Sequence, residues 1–363
     1  MKDGTGKQMT PNPASDHEVE RERFKPEELA AVLAHYTLGD ILSAREYPRG
    51  SRRSPKILLQ TAKGRYLLKR RALGRDRPAR VTFSQTLLRH LYQKGFHVPR
   101  LIRVHDTGDS KLIHGGRVYE VFEYVDGEHY DESLEQTEHA GKTLARLHRA
   151  LRGFQTAWHP TSSGYHDSRR VRAGLQMVPA AVSSHDSVSG YEAELLSLIQ
   201  ELRERYDAAA EKVNGLGFAD WESELVHGDW HPGNLRFRDG KVCAVLDFDS
   251  ARRYPLIADL ANGILQFSML RGEGEPEHWP EYFDQTRMKR FYMGYAHRIL
   301  LSGAERRSIS GLMIESLIAE GVVPVAATGS LEQIPGLGVM RMVRKKVRWI
   351  EENASRMEDW MLE

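Results

Sequence analysis

Two polar clusters, each beside an apolar run, constrain this chain more than any other feature. The first is the sequence HGDWHPGN at residues 227–234, and the second is DFD at residues 247–249, directly after the apolar run 242–246. That run is short and contains β-branched valines, and it is preceded by Asp239-Gly240, a dipeptide typical of tight hairpin turns. The sequence therefore predicts a buried strand that begins after a turn and ends in an acid.

Three oxygen-bearing side chains in these clusters have spacings along the sequence that suggest a function. Asp229 and Asn234 are five positions apart in one loop, and Asp247 follows Asp229 by eighteen. A loop can aim Asp229 and Asn234 into the same cleft, and Mg²⁺ takes oxygen ligands. We therefore expect Asp247 and the Asn234 amide oxygen to hold Mg²⁺ on the phosphates of a nucleotide. Asp229, left off the metal, is the candidate base for an attacking hydroxyl, as in the catalytic loop of kinases.

The pattern HGDxHxxN followed by LDFD resembles the aminoglycoside phosphotransferase and choline kinase family. The resemblance covers roughly residues 40–300, and Gly228 stands where protein kinases have an arginine. It implies an α+β, bilobal, protein-kinase-like fold, with a small antiparallel-sheet N-terminal lobe and a larger, mainly helical C-terminal lobe. It also implies ATP, Mg²⁺ and transfer of the γ-phosphoryl group to a hydroxyl. Aminoglycosides, amino alcohols, homoserine-like amino acids and protein hydroxyls all stay open as acceptors.

A lysine near the start of the chain fits the same family. Runs 56–61 and 65–70 predict a strand hairpin around Ala62-Lys63-Gly64, after a loop at residues 48–55 that is placed to cover phosphates. Lys69, at the end of the second run, resembles the kinase lysine that pairs with the α- and β-phosphates.

The helix predicted at residues 78–95 departs from the family pattern. In the family this helix carries a glutamate that pairs with the lysine, but the residue sixteen positions after Lys69 is Gln85, and no acid lies between Asp76 and Asp106. Gln85 can donate or accept a hydrogen bond at Lys69 but supplies no charge. This departure keeps a catalytically degenerate nucleotide-binding module open as an alternative function.

The order of predicted elements suggests two lobes. We expect a polar, mobile tail at residues 1–24, a nucleotide-binding lobe at 25–125 and a catalytic and substrate-binding lobe at 126–363. By resemblance, the adenine should meet backbone groups at Glu123, Tyr124 and Val125, after the strand predicted from residue 118. The second lobe is expected to be helical. Its predicted features are helices at 134–151, 189–213, 282–301 and 340–362, an insertion with short helices at 152–188, a core His148, and Asp259 as a brace of the catalytic loop.

Composition agrees with a soluble globular protein, with 40% apolar and 28% charged residues. The net charge of +2 gives no global attraction to nucleic acid or membrane. Residues 45–80 hold thirteen Lys and Arg against two acids, but aromatic residues are sparse among them, so nucleic-acid binding is disfavoured and a solvated surface is favoured. The single cysteine, Cys243, is expected to be a core residue, and the lack of a disulfide framework favours the cytoplasm. No run approaches the 18 or more apolar residues of a spanning helix.

Other interpretations of the motifs remain at this point. HGD can be a simple turn and DFD a simple strand end. Alternatively, His227, Asp229 and His231 can bind zinc in a metal-dependent hydrolase, which would leave Asn234 and Asp247 without a role. The acidic stretch 273–284, with Trp279 among its acids, can bind a cationic substrate, although a solvated loop is the favoured interpretation.

Overall fold

The computed structural model describes residues 21–362 except 49, 51, 157, 159–162, 185–189 and 332–333. The chain divides into two compact units, Met1–Asp76 with Leu101–Tyr124 and Arg77–Arg100 with Val125–Glu363. The division at residues 124 and 125 lies beside the predicted lobe boundary. Residues 77–100, predicted in the N-terminal lobe, group instead with the second unit.

The first unit is an antiparallel sheet with one helix. The helix α1 is Pro26–Leu33, and the strands are β1 Ile41–Glu46, β2 Lys56–Thr61, β3 Gly64–Arg70, β4 Leu101–Ile102, β5 Leu112–His114 and β6 Arg117–Glu123. The strand order is β1-β2-β3-β6-β4, and β5 also pairs with β6. The predicted hairpin is present, because Thr61 pairs with Gly64 at the turn between β2 and β3.

One face of this sheet carries the core of the first unit. Leu59 of β2, Leu68 of β3 and Val121 of β6 are fully buried there, packed with Val32 of α1. Side chains alternate between the two faces of a strand, so the neighbours of these residues in β3 and β6 lie on the opposite face.

The predicted tail at residues 1–24 lies outside the described residues up to residue 20. The last part of it, from Arg21 to Phe24, is held against the first unit. The Glu22 N–H donates to the Arg52 carbonyl at 2.9 Å, and the Glu22 carboxylate accepts from Arg70 at 2.8 Å. Phe24 packs against the core of this unit. The polar composition of residues 1–24 predicted a mobile tail, but it gave no indication of these contacts of Glu22 and Phe24.

The second unit is mainly helical, with short two-stranded sheets. Its helices are α2 Pro78–Gln93, α3 Leu134–Leu151, α4 Arg169–Ser183, α5 Glu192–Gly215, α6 Leu256–Ser268, α7 Gln285–Ala296, α8 Gly303–Thr328 and α9 Gly336–Leu362. Its strands are β7 Ser223–Val226, β8 Leu235–Arg238, β9 Lys241–Val245, β10 Arg252–Pro255, β11 Ser330–Leu331 and β12 Ile334–Pro335.

Two glycines let α3 and α7 pack closely. A Cβ atom on Gly141 would lie 2.1 Å from the Phe291 carbonyl oxygen, and one on Gly294 would lie 2.3 Å from the Glu138 carbonyl oxygen. Any larger side chain at either position would force the two helices apart. Gly141 and Gly294 therefore set the separation of α3 and α7, the helices that carry His148 and Tyr295.

Helix α8 lies among α4, α5, α6 and α9. It is long and apolar enough to cross a membrane, but 72% of its most apolar window is buried inside the protein. That burial is what a central core helix shows. No such segment was predicted from the sequence, because Glu315 and Glu320 interrupt the apolar run.

Candidate active site

The loop that joins β7 to β8 carries the sequence HGDWHPGN. Strand β7 pairs with β10, and β8 pairs with β9. The predicted turn at Asp239-Gly240 joins β8 to β9. Gly228 has φ +75°, and a Cβ atom there would lie 2.4 Å from the Ser250 carbonyl oxygen. The Arg252 guanidinium also donates to the Gly228 carbonyl. Only glycine fits this position without strain, which explains why no larger residue, such as the arginine of protein kinases, stands there.

Asp259, near the start of α6, fastens the first half of the loop. Its carboxylate accepts from the backbone N–H of His227 at 2.7 Å and from that of Gly228 at 2.9 Å. It also lies 3.3 Å from Nε2 of His148, whose Nδ1 lies 2.8 Å from the Tyr295 hydroxyl. Burial alone would raise the pKa of Asp259, but the hydrogen bond and charge of His148 outweigh it and hold that pKa below its ordinary value. The predicted brace role of Asp259 and the predicted core role of His148 are both confirmed.

Asn234 ties the second half of the loop to Asp229. Its Nδ2 donates to the Asp229 carbonyl at 2.9 Å and to the Asp229 carboxylate at 3.2 Å. This orientation turns the amide oxygen away from the carboxylate. The backbone N–H of Leu246 donates to the Asn234 carbonyl at 2.8 Å, which brings Asp247 next to the loop. The structure therefore places Asp229, Asn234 and Asp247 in one region of the second unit.

Asp247 has an unusual backbone conformation for an aspartate. Its φ is 58° and its ψ is 71°, in the left-handed region that non-glycine residues adopt at a cost. The residue is exposed, and the next residue, Phe248, is buried. The sharp turn therefore presents the Asp247 carboxylate outward while the chain continues into the core.

Asp229 and His231 form an electrostatic pair. Nε2 of His231 lies 3.7 Å from the Asp229 carboxylate, and the Gly233 N–H donates to Nδ1 of His231 at 3.1 Å. Burial would raise the pKa of Asp229, but its interactions with His231, His227 and Asn234 prevail and lower it. Burial would lower the pKa of His231, but Asp229 outweighs that effect and raises it. Asp229 is thus ionised near neutral pH, and its side chain is 47% exposed.

The surroundings of His227 argue against the zinc interpretation. His227 is fully buried, and its Nε2 donates to the Leu246 carbonyl at 3.0 Å. Its ring packs against Trp230 and Phe248. Over residues 21–362, apart from the gaps given above, no group of three or more His, Cys, Asp or Glu residues has the arrangement of a metal site. Mg²⁺ needs less from the protein, because it is commonly bound through one or two carboxylates together with substrate phosphates.

Lys69 and Gln85 belong to different units. Lys69 lies near the end of β3 in the first unit and is 9% exposed, and it pairs across the sheet with Lys56 and Glu120. Gln85 lies on α2 in the second unit and is 4% exposed. Helix α2 is tied to the candidate site, because Arg80 donates to the Asp249 carbonyl at 2.7 Å. This contact gives a physical reason why α2 groups with the second unit.

The predicted adenine-binding segment lies at the end of β6. Glu123 pairs with Tyr66, and the Tyr124 N–H donates to the Arg65 carbonyl at 2.9 Å. The Tyr124 ring also lies beside the Arg65 guanidinium, 5.0 Å from the ring centroid. The Tyr124 N–H is therefore used within the sheet of the first unit.

Two residues near the site were missed from the sequence. Glu320 of α8 is exposed overall, but its carboxyl group is surrounded by protein. This burial of the carboxyl group, together with the negative charge of Asp229, raises its pKa to about 7. Gln266 of α6 donates to the Glu320 carboxylate. Neither residue belongs to a motif, and only the position of α8 in the fold brings Glu320 within reach of the charge of Asp229.

Other predicted features have structural roles. In the acidic stretch 273–284, Glu277 accepts from Arg341 at 2.8 Å, and Asp284 caps the N-terminus of α7. These contacts account for both acids without a cationic substrate. Cys243 is half-buried rather than a core residue, and its Sγ lies 3.7 Å from the Asp126 carbonyl oxygen. Burial raises the pKa of its thiol, which does not suit a nucleophile.

Solved structures share the fold. An aminoglycoside phosphotransferase from Alicyclobacillus acidocaldarius is 17% identical, with a TM-score of 0.67, over 95% of this chain and 99% of that one. A microcompartment-associated aminopropanol kinase is 15% identical, with a TM-score of 0.69, over 92% and 99%. An amicoumacin kinase, solved with AMP-PNP, Ca²⁺ and Ami, is 15% identical, with a TM-score of 0.65, over 91% and 94%. The predicted α+β, protein-kinase-like fold is confirmed.

Sequence relatives agree with the structures. The stress response kinase A of Shigella flexneri is 29% identical over 191 residues, which cover 51% of this chain and 53% of that protein. The homoserine kinase of Chelativorans sp. strain BNC1 is 29% identical over 243 residues, which cover 65% of this chain and 67% of that protein. The chain thus spans about half the length of the first relative. Residues 44–291, more than half of the chain, match the phosphotransferase enzyme family, and the chain belongs to this family.

Proposed function

We propose that the protein transfers the γ-phosphoryl group of ATP to a hydroxyl of a small molecule. The observation that carries this proposal is the state of Asp229. It is ionised, half-exposed and hydrogen-bonded to Asn234, on a loop whose backbone is fastened by Asp259. Asp247 follows Leu246, whose N–H donates to the Asn234 carbonyl. A carboxylate in this state can accept a proton from a substrate hydroxyl.

The donor set fits a magnesium nucleotide. The Asn234 amide oxygen and the Asp247 carboxylate are the two residues that would hold Mg²⁺, and both are hard oxygen ligands. Bound Mg²⁺ would neutralise charge on the phosphates of ATP. Lys69 would contact the phosphates, and backbone groups of Glu123, Tyr124 and Val125 would contact the adenine. Gln85 would contribute to nucleotide binding through a hydrogen bond to Lys69.

The division of labour in the loop follows from its hydrogen bonds. Asn234 donates to Asp229, so it keeps one carboxylate oxygen of that residue oriented. The other oxygen is then presented to a hydroxyl. His231 adds positive charge beside Asp229 and so favours the ionised form of the base. Catalysis in such a site comes mainly from positioning and from charge neutralisation.

The relatives and the exposure of Asp229 support a proposal for the acceptor class. The relatives include a homoserine kinase, and the similar structures include an aminopropanol kinase. We propose an amino alcohol, an aminoglycoside or a homoserine-like amino acid, and we place the protein in the cytoplasm because its single cysteine offers no internal disulfide. We expect neither a membrane nor a nucleic acid as a partner.

A panel of hydroxyl metabolites tests this function. ADP formation would be measured with Mg·ATP and each acceptor, and the phosphorylated product would be identified by phosphorus NMR. The proposal predicts at least one acceptor that raises ADP formation well above the rate without acceptor. Thermal stabilisation by Mg·ATP without turnover on any acceptor would instead support a degenerate nucleotide-binding module.

A metal analysis of the purified protein separates the hydrolase alternative. We expect no stoichiometric zinc. Stoichiometric zinc that is lost in both His227→Ala and His231→Ala would favour the hydrolase and would contradict the proposed function.

A further inference from the structure

We propose that Glu120 of β6 supplies the carboxylate that positions Lys69, in place of the helix glutamate that this chain lacks. The inference rests on the proposed function, in which Lys69 contacts the phosphates. It concerns the first unit alone and depends on the register of its sheet, the burial of three side chains and one short ion pair.

The register places Glu120 and Lys69 directly opposite each other. In the antiparallel pair β3 and β6, Lys69 is the partner of Glu120. Residues directly opposite in such a ladder point to the same face, with Cβ atoms roughly 4.5–5.5 Å apart. That face is opposite to the one that carries the apolar core, since Leu68 and Val121 are in the core cluster. Lys69 and Glu120 therefore share a face and have side chains long enough to meet.

The same face carries a second cation. Arg71 continues the ladder, because its N–H donates to the Val118 carbonyl at 2.9 Å. Its Nε donates to the Glu120 carboxylate at 2.6 Å, and the two side chains are 3% and 1% exposed. A carboxylate has about four acceptor positions. Glu120 can therefore accept from Arg71 and from Lys69 together.

Burial makes this carboxylate an effective anchor. Glu120 is fully buried, and an ionised carboxylate at such a site is costly unless cations surround it. A lysine carries a point charge on a flexible stem, so it needs an anionic partner to hold its ammonium in one place. Gln85, the residue that matches the helix glutamate of the family, is neutral. Glu120 supplies the missing negative charge from a strand that is hydrogen-bonded to the strand of Lys69.

A double-mutant cycle tests this role. Mg·ATP affinity would be measured by calorimetry for the wild type, Glu120→Gln, Lys69→Met and the double variant, and melting temperatures would be recorded for each. If Glu120 acts through Lys69, Glu120→Gln should weaken Mg·ATP binding about tenfold or more in the wild type but less than about twofold when Lys69 is already methionine. A merely structural role would give the same loss in both backgrounds.

The opposite face of β3 offers a matched control. Glu28 accepts from Arg70 at 2.6 Å and from the Tyr119 hydroxyl at 2.8 Å, so it is also an ion-paired glutamate of the first unit. Glu28→Gln removes a comparable charge on the face that does not carry Lys69. Its affinity for Mg·ATP should stay within about twofold of the wild type, because Glu28 lies on the face opposite to Lys69.

The outcomes separate this inference from the function on which it rests. Equal losses of affinity in both backgrounds, or an unchanged affinity in folded Glu120→Gln, would overturn the role of Glu120 while leaving the kinase function in place. A wild type that does not bind Mg·ATP would overturn both. If Glu120→Gln does not fold, Glu120→Asp replaces it in the same cycle, since it keeps the charge beside Arg71 but shortens its reach.

Discussion

At the scale of single residues, hydrogen bonds connect the parts of the candidate site. The Leu246 N–H donates to the Asn234 carbonyl, and the Asn234 amide donates to Asp229. Residue spacing alone suggested that Asp229 and Asn234 share a loop and that Asp247 follows a strand. The spacing gave no sign of Glu320, because its approach to Asp229 depends on the packing of α8. Nor did it give the orientation of the Asn234 amide, which only the hydrogen bonds to Asp229 reveal.

Gly228 gives the first prediction at this scale. Gly228→Ala should lower turnover at least tenfold and cost about 1–3 kcal/mol of stability, because alanine is strained at φ +75° and its Cβ would meet the Ser250 carbonyl. Denaturant unfolding and steady-state kinetics would measure both effects. Gly108→Ala is a suitable control, since Gly108 has φ +71° but no atom within 4 Å of the new Cβ. Equal turnover in the two variants would contradict this account of Gly228.

Asp247 gives the second prediction. Asp247→Asn should weaken the binding of Mg·ATP about tenfold or more, because an amide supplies less charge than a carboxylate to a hard cation. Calorimetry would be run with and without Mg²⁺, and ATP binding in the absence of the metal should change little. An unchanged affinity for Mg·ATP would remove Asp247 from the metal site.

At the scale of elements, periodic segments were predicted best. Helix α3 has the predicted bounds, Leu134–Leu151, because its apolar residues recur on one stripe. Helix α8 was missed, although Ser302 and Glu305 form a capping box at its start. Its residues are apolar on nearly all sides, and such a helix has no periodic pattern to detect. The cross-strand partner of Lys69, Glu120, could not be predicted either, because the register of β3 with β6 cannot be derived from either strand alone.

Lys346, in the first half of α9, gives a prediction at this scale. It is fully buried, its Nζ donates to the Pro280 carbonyl at 2.8 Å, and burial lowers its pKa to about 8. In the unfolded chain this lysine has its ordinary pKa of about 10.4. Above about pH 8 the unfolded state therefore binds more protons than the folded state, so the stability of the folded state should rise between about pH 8 and pH 10. The slope should be at most about 1.4 kcal/mol per pH unit.

The matched comparison for this effect is Lys346→Met. Other titrating groups are common to both proteins, so the difference between their unfolding free energies isolates Lys346. The wild type should gain stability relative to Lys346→Met as the pH rises through this window. Parallel profiles of the two proteins would show that Lys346 is not held at a lowered pKa.

At the scale of the whole molecule, the family resemblance predicted the fold, while the grouping of one helix was not predictable. The apolar stripe of α2 shows that the helix packs on something, but it does not show on what. Two hydrogen bonds connect residues 77–100 to the rest of the second unit. The Arg80 guanidinium donates to the Asp249 carbonyl, and the Val245 N–H donates to the His97 carbonyl. The role of residues 21–24 was also not predictable from the sequence. It depends on the contacts of Glu22 with Arg70 and of Phe24 with the core of the first unit.

The most direct test of the central claim is the effect of Asp229→Asn on turnover and on nucleotide binding, measured side by side. Asparagine keeps the shape and the hydrogen-bonding reach of Asp229 but removes the proton acceptor. General-base contributions are typically about 10²–10⁴-fold, so turnover should fall by at least about a hundredfold while Mg·ATP affinity is kept. Asp239→Asn, the same change in the turn between β8 and β9, should leave both unchanged. Full activity in Asp229→Asn would contradict the proposed mechanism, and a joint loss of Mg·ATP binding and activity would place Asp229 on the metal instead.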